Sequence, residues 1–214
     1  MEPKKPARRS PEPAERVRDA ERTKRKLLEA AFTEFSENGY DGARVGEIAA
    51  RAGVNKQLIS YYFGGKEGLY RTLVREWLED ESDHADSDVP AAEVLNWYLR
   101  KNLNDPRIAR FSLWQALSDE IPEEADQSDV DRELAQMRLR QERGEIAADL
   151  DPAAVQIALM GMTLAPVVFR STARRLFGVD IDDPEFETRY GDTLHRILAR
   201  LAETEHHPKG TTRP

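Results

Sequence analysis

RVGEIAARAGVNKQLISYYF, residues 44–63, holds two short apolar-faced segments separated by a glycine. Ile48 and Ala49 fall on the inner face of a first helix over 44–52, and Ala49 is small where a second helix must cross closely. Gly53 follows four residues later and can take the left-handed backbone of a tight turn. Val54 then plugs the corner, and Asn55 can cap the next helix by accepting from its free backbone N–H groups. Ile59 returns to the core ten residues after Ala49, within a helix over 55–62. Two helices joined steeply by a short glycine turn read as a helix-turn-helix. In that motif the outer face of the second helix enters a DNA major groove. Here that face carries Lys56, Gln57, Ser60 and Tyr61, whose ammonium, amide, hydroxyl and aromatic groups suit base edges and phosphates. Tyr62 and Phe63 pack their rings inward, with the Tyr62 hydroxyl near the DNA backbone.

The flanks extend the unit. Upstream, Leu27, Leu28, Ala31, Phe32 and Phe35 recur at helical spacing, so a helix is expected from about Glu15 to Asn38, stopped by Gly39. Downstream, GGKEGLY (64–70) opens a helix over 66–80 on which Leu69, Leu73 and Trp77 sit four apart. Lys66 stands at its start, where free N–H groups and the helix dipole favour a phosphate. The glycines do not make a nucleotide loop: the spacing misses GxxxxGK[ST] and no strand precedes it.

A net charge of -8 argues at first against a polyanion partner, but the charge is unevenly spread. Residues 1–75 hold 6 Lys and 10 Arg against 11 Asp/Glu, an excess of five positive charges, whereas the remainder is strongly acidic. A basic head on an acidic body is the asymmetry of a protein that binds nucleic acid at one end. Residues 1–14, with four prolines and the pairs Lys4-Lys5 and Arg8-Arg9, read as a flexible basic arm. The acidic stretch EDESDHADSD (79–88) breaks the apolar pattern and marks the expected domain boundary; His84 within it reads as part of a solvated linker, not a metal site. There is no cysteine, which excludes disulfides and thiolate chemistry and fits a cytoplasmic protein. No run approaches the roughly 18 apolar residues of a membrane span, and the N-terminus lacks the apolar core of a secretory signal.

Beyond Pro90, helices are expected near 90–104, 107–119, 129–145, 152–177 and 185–204, with a disordered tail over 206–214. Asp151-Pro152 and Asp183-Pro184 look like helix starts, Asp capping and Pro in the first turn. No β pattern appears, so the chain reads as all-α. Trp97, Phe111, Trp114, Met137, Met160 and Phe169 are candidates to line an apolar ligand pocket between helices, with Arg110, Gln115 and Arg140 as polar anchors. Each is also readable as core, and the Met160/Met162 pair as core or interface packing. An all-α enzyme finds no support: there are only four His, no triad or metal spacing, and no cofactor motif, and His195 reads as surface or interface.

FSENGYDGARVGEIAARAGVNKQLISYYFGGKEGLY resembles the DNA-binding domain of the TetR family of bacterial regulators over about residues 21–81. Phe35, Gly39-Tyr40, Ile48-Ala49, Ala52-Gly53-Val54, Tyr62-Phe63 and Lys66-Glu67 carry the resemblance, and Arg143-Gly144-Glu145 through Asp151-Pro152 extend it more weakly. It implies an N-terminal three-helix helix-turn-helix DNA-binding domain within 15–81 and a C-terminal helical ligand-binding and dimerisation domain over 89–205. By position, Lys56, Gln57, Leu58, Ser60, Tyr61 and Tyr62 match the family's recognition-helix contacts, and Arg44 and Lys66 its phosphate contacts. Two departures stand out: relatives often carry Thr or Ser at Arg44 and an aromatic residue at Ser60. The implied protein is a cytoplasmic, nucleoid-associated bacterial repressor, a homodimer joined through helices near 152–177 and 185–204. It would hold a palindromic double-stranded DNA operator and be released by an unknown small-molecule effector. An activator, or a regulator controlled by a protein partner, is the alternative.

Overall fold

Leu27, Leu28, Ala31 and Phe35 form the buried face of α1 (Pro13–Gly42). The protein is described by a computed structural model over residues 13–84, 88–118 and 127–202. Those residues form ten helices and no strand, in keeping with the all-α reading. The expected basic arm lies outside them except for Pro13 and Ala14, which open α1, and the expected tail over 206–214 lies outside altogether.

α1 is followed by α2 (Val45–Ala52), α3 (Gln57–Phe63) and α4 (Lys66–His84). The path of α1 breaks at Gly39, whose φ of 69° and ψ of 178° belong to a region open essentially to glycine alone. A further helical turn then reaches Gly42, three residues past the expected stop. Ile48, Ile59 and Leu69 are wholly buried, each contributing about 1.5–3 kcal/mol by leaving water. Phe35, Tyr40 and Tyr70 close the same core, with Tyr70 edge-on to both other rings at 5.1 Å.

The acidic stretch does not end α4, which runs on through it to His84. Glu and Asp end an apolar stripe without ending a helix, since Glu in particular is a good helix former. The chain divides into two compact units, Met1–Leu73 and Val74–Pro214, so the division falls inside α4 and ahead of the linker expected at 79–88.

The second unit comprises α5 (Ala91–Asn104), α6 (Pro106–Leu117), α7 (Gln127–Glu142), α8 (Pro152–Val168), α9 (Arg170–Phe177) and α10 (Pro184–Leu201). Leu95, Leu99 and Leu103 of α5 share one core with Val155 and Leu159 of α8 and with Phe186, Leu194 and Leu198 of α10. Gly191 lets α10 approach α5 closely: a Cβ there would stand 3.2 Å from Asn96 Oδ1. Asp151 and Asp183 cap as expected, accepting from Ala154 N–H at 2.9 Å and Glu185 N–H at 2.8 Å. Asp105-Pro106 is a third start of the same kind, with Asp105 accepting from Arg107 N–H at 3.1 Å.

The helix expected over 152–177 is two helices, α8 and α9, bent by 83°. Pro166 has no N–H to offer Met162 O, four residues back. That carbonyl is satisfied instead by the Tyr190 hydroxyl of α10, which donates to it at 2.8 Å. Phe169 then leaves the helical region (φ −107°, ψ 38°), and Arg170 at the head of α9 is tied to Asp180 at 2.6 Å and to Asp182. No single described helix is long and apolar enough to cross a membrane; α8 and α9 together pass that test only by length and composition.

Candidate nucleic-acid interface and ligand cavity

The turn between α2 and α3 is built as its residues require. Gly53 lies in the left-handed region at φ 67°, and Val54 N–H donates back to Ala49 O at 3.1 Å. Asn55 Oδ1 accepts from Gln57 N–H at 2.9 Å, so the cap expected of Asn55 is present. With Ile59 buried, the opposite side of α3 is left to solvent. Lys56, Gln57, Ser60 and Tyr61 are all exposed there, Tyr61 at 78%. Leu58 and Tyr62 are half-buried, Tyr62 lying edge-on to Tyr61 at 5.0 Å with Lys24 Nζ 5.7 Å from its ring centre. α3 itself carries no charge, so it adds no carboxylate to repel a phosphate.

Gly64 and Gly65, at φ 75° and 121°, turn the chain into α4. Lys66 opens that helix, but its ammonium is already engaged, donating to Asp41 O at 3.3 Å and lying 4.7 Å from the Tyr40 ring centre. Two residues on, Gly68 lies against the backbone at the end of α3, where a Cβ would stand only 1.8 Å from Phe63 O. The seating of α3 against α4 therefore depends on the missing side chain.

A cavity of about 520 Å³ opens within the second unit. Its wall is mostly apolar, with Leu95, Ile108, Leu159 and Leu164 among its residues. Size and lining suit a small organic ligand. Polar side chains enter at few points, chiefly Lys101, Asn102, Gln115, Glu133, Arg140 and Gln156. Arg140 is almost fully buried, and its Nη1 donates to Val89 O at 3.0 Å and to Glu145 at 3.1 Å. Asn102, also buried, donates to Thr163 O at 3.4 Å.

Residues 27–73 match the model of the bacterial regulatory proteins of the tetR family, and residues 98–183 that of the tetracyclin repressor-like C-terminal domain. The HTH-type transcriptional repressor SCO4008 of Streptomyces coelicolor is 32% identical over 167 residues, covering 76% of this chain and 87% of the relative. The chain belongs to the TetR family. A probable HTH-type transcriptional regulator of Bacillus subtilis, YttP, is 48% identical over 60 residues, 28% of this chain and 29% of the relative. In fold, the chain is similar to the putative transcriptional regulator SCO4942 of Streptomyces coelicolor, with a TM-score of 0.67 at 20% identity, over 82% of this chain and 97% of that one. The protein is a DNA-binding transcriptional regulator of the TetR type.

A Thr or Ser at position 44 would cap α2 with its hydroxyl. Here Arg44 makes no side-chain cap bond. A carboxylate from α1 works at this point instead: Glu34, only 4% exposed, accepts from Arg44 N–H at 3.2 Å. Arg51 stands 3.8 Å from Glu34 and 3.0 Å from Glu37. The Arg44 guanidinium is thereby left exposed and without a partner among the described residues.

Of the six residues expected to line a pocket, Met137 and Met160 do so, as do the expected anchors Gln115 and Arg140. Trp97, Phe111, Trp114 and Phe169 do not, nor does Arg110. Trp97 packs edge-on to Tyr98 with Lys101 Nζ 4.5 Å from its ring centre, Phe111 is core, and Trp114 and Phe169 are 42% and 61% exposed. Arg110 faces solvent. The aromatic lining comes from Trp77 of α4 and Tyr98 of α5 instead. Trp77 continues the apolar stripe of Leu69 and Leu73, which reads equally as core, so its place in the cavity wall is not legible from the sequence.

Proposed function

We propose that this TetR-family regulator is a homodimeric repressor that holds a palindromic operator through the outer face of α3 and is released by a small organic effector in the 520 Å³ cavity. The observation that carries the reading is the pairing of an exposed, acid-free α3 with a ready apolar cavity in the second unit. In the DNA complex Gln57, Ser60 and Tyr61 face base edges. Lys56 and Arg44 meet phosphates, and Leu58, Tyr62 and Lys66 line the same contact. Lys66 has further N–H groups to donate beside the one that meets Asp41 O.

Dimerisation is assigned to α8 and α10. α8 carries no charged residue in its 17 positions, yet Ala153, Ala154, Ile157, Ala158, Gly161 and Val168 are exposed in the single chain. A charge-free helix with a small-residue face is suited to bury itself against a second copy. A two-fold dimer would set its two α3 helices about 34–36 Å apart, one turn of duplex.

The coupling runs along α4, which begins at Lys66 beside the recognition helix and carries Trp77 into the cavity wall. A ligand that prefers one position of α4 shifts the population of DNA-competent dimers, by no more than its difference in affinity for the two states. The test is a mobility shift with the gene's own upstream region, repeated across a metabolite panel. Retarded DNA released by one compound is the expected result. Failure to retard any two-fold-symmetric site there or genome-wide refutes the operator reading, and release by none of the panel counts against the effector.

A further inference from the structure

The wall of the cavity holds hydrogen-bond donors that the fold leaves unmatched. Trp77 Nε1 is buried and has no acceptor within reach among the described residues. Arg140 spends Nη1 on Val89 O and Glu145, and its Nε and Nη2 make no hydrogen bond among the described residues. Both residues line the same cavity. Of the other polar groups, Asn102 donates to Thr163 O, Thr163 Oγ1 to Met160 O, and Ser112 Oγ to Ile108 O, while the Gln115 and Gln156 amides also line the wall. A buried donor left unmade is costly, which favours a ligand whose acceptor reaches the Trp77 indole N–H.

An indole N–H can only donate, and so can a guanidinium. The edge formed by Nε and Nη2 matches a carboxylate in two parallel bonds, the arrangement in which arginine recognises planar oxyanions. Net charge does not choose the ligand, because Lys101 and Glu133 both line the wall and Glu145 already balances Arg140. The donor inventory does. We infer that the effector is an amphipathic carboxylate, with an apolar body among Leu95, Ile108, Leu159 and Leu164 and its carboxylate held by Arg140 and the Trp77 indole N–H.

The inference rests on reading the cavity as the effector site, and the test separates the two. Decanoate, 1-decanol and decylammonium share one apolar body and differ in headgroup. Each is titrated into the full chain by isothermal calorimetry, alongside Trp77→Phe, Arg140→Lys and Met160→Trp, with helicity checked by circular dichroism. Decanoate is expected to bind at least about tenfold more tightly than decanol, the measure of a hydrogen bond to a charged group. Trp77→Phe, which deletes the N–H and keeps an aromatic ring, and Arg140→Lys, which keeps the charge and loses the fork, should each narrow that preference. Met160→Trp should block all binding. Tighter binding of decanol or decylammonium, abolished by Met160→Trp, overturns the carboxylate and leaves the cavity as a ligand site. A decanoate preference untouched by Trp77→Phe and Arg140→Lys overturns the assignment of the two donors. Absence of saturable binding by all three overturns the cavity as a site for such molecules, and the carboxylate with it.

Discussion

Replacing Gly68 by alanine adds one methyl group, and the structure says where it must go. The new Cβ would stand 1.8 Å from Phe63 O and 3.0 Å from Phe63 C, against an ordinary contact that begins near 3.4 Å. The atom in the way is backbone, so no rotamer can relieve the clash. α3 and α4 must separate by about 1.5 Å, in a core where overpacking costs about 1–3 kcal/mol and sometimes more. Alanine recovers at most about 1 kcal/mol of helix propensity. The balance is a loss of about 2 kcal/mol from the first unit, and a domain of this size loses some 4–8 °C of melting temperature per kcal/mol. Circular dichroism melts of Gly68→Ala should therefore show a transition lowered by about 10 °C. Operator affinity should fall as well, because the displaced end of α3 carries Tyr61 and Tyr62. Gly46→Ala is the matched control: Gly46 is exposed, has normal φ and nothing within 4 Å of an added Cβ, so it should be neutral or slightly stabilising. If Gly68→Ala melts at or above the wild-type temperature, the close seating of α3 on α4 is refuted.

Arg44→Ala should weaken binding to all DNA sequences alike and lower the slope of log affinity against log salt by about one. Its melting temperature should hold, since Glu34 accepts from the Arg44 backbone and not from its side chain; an unchanged slope removes Arg44 from the phosphate contacts. Ala158→Glu places a charge on the exposed face of α8 and should yield monomers by sedimentation with helicity intact, whereas an unaltered dimer moves the interface elsewhere. Burial, with a smaller contribution from Tyr40, pushes the Tyr70 phenol up to about 12. The folded state therefore favours the neutral phenol. This stabilisation is full below pH 10 and is lost as pH rises from there through about 12, a change of roughly 2–3 kcal/mol. Urea midpoints of Tyr70→Phe should fall less steeply over that window than those of wild type; parallel curves refute the assignment.

What the sequence disclosed was local and strongly determined. Gly53 and Asn55 stand where a turn and a cap need those side chains, and Ile59 has only one face to occupy, so the α2–α3 unit was legible to within a residue or two. The departures had physical causes. Pro166 fits an apolar stripe as well as any aliphatic residue, and the break after it depends on a Tyr190 hydroxyl 24 positions along the chain. Asp105-Pro106 carries the same cap-and-proline pattern as Asp151-Pro152 and Asp183-Pro184. Five aromatic or anchoring positions on α5, α6 and α8–α9 did not reach the cavity because residue type does not say which neighbour a helix face meets; Trp97 and Phe111 lie one step around their helices from Tyr98 and Ser112, which do line it. The replacement of a hydroxyl cap at Arg44 by Glu34 needs α1 folded against α2, a contact no local pattern contains.

The central claim is that the outer face of α3 reads DNA sequence. Footprinting on the upstream region, with competitor titration of wild type against Gln57→Ala and Tyr61→Ala, tests it most directly. The account predicts protection of a two-fold-symmetric site whose half-sites lie about 10 base pairs apart. It also predicts that both variants lose most of the preference for that site while keeping salt-sensitive binding to random DNA. Variants that fold normally and retain the full preference would contradict it.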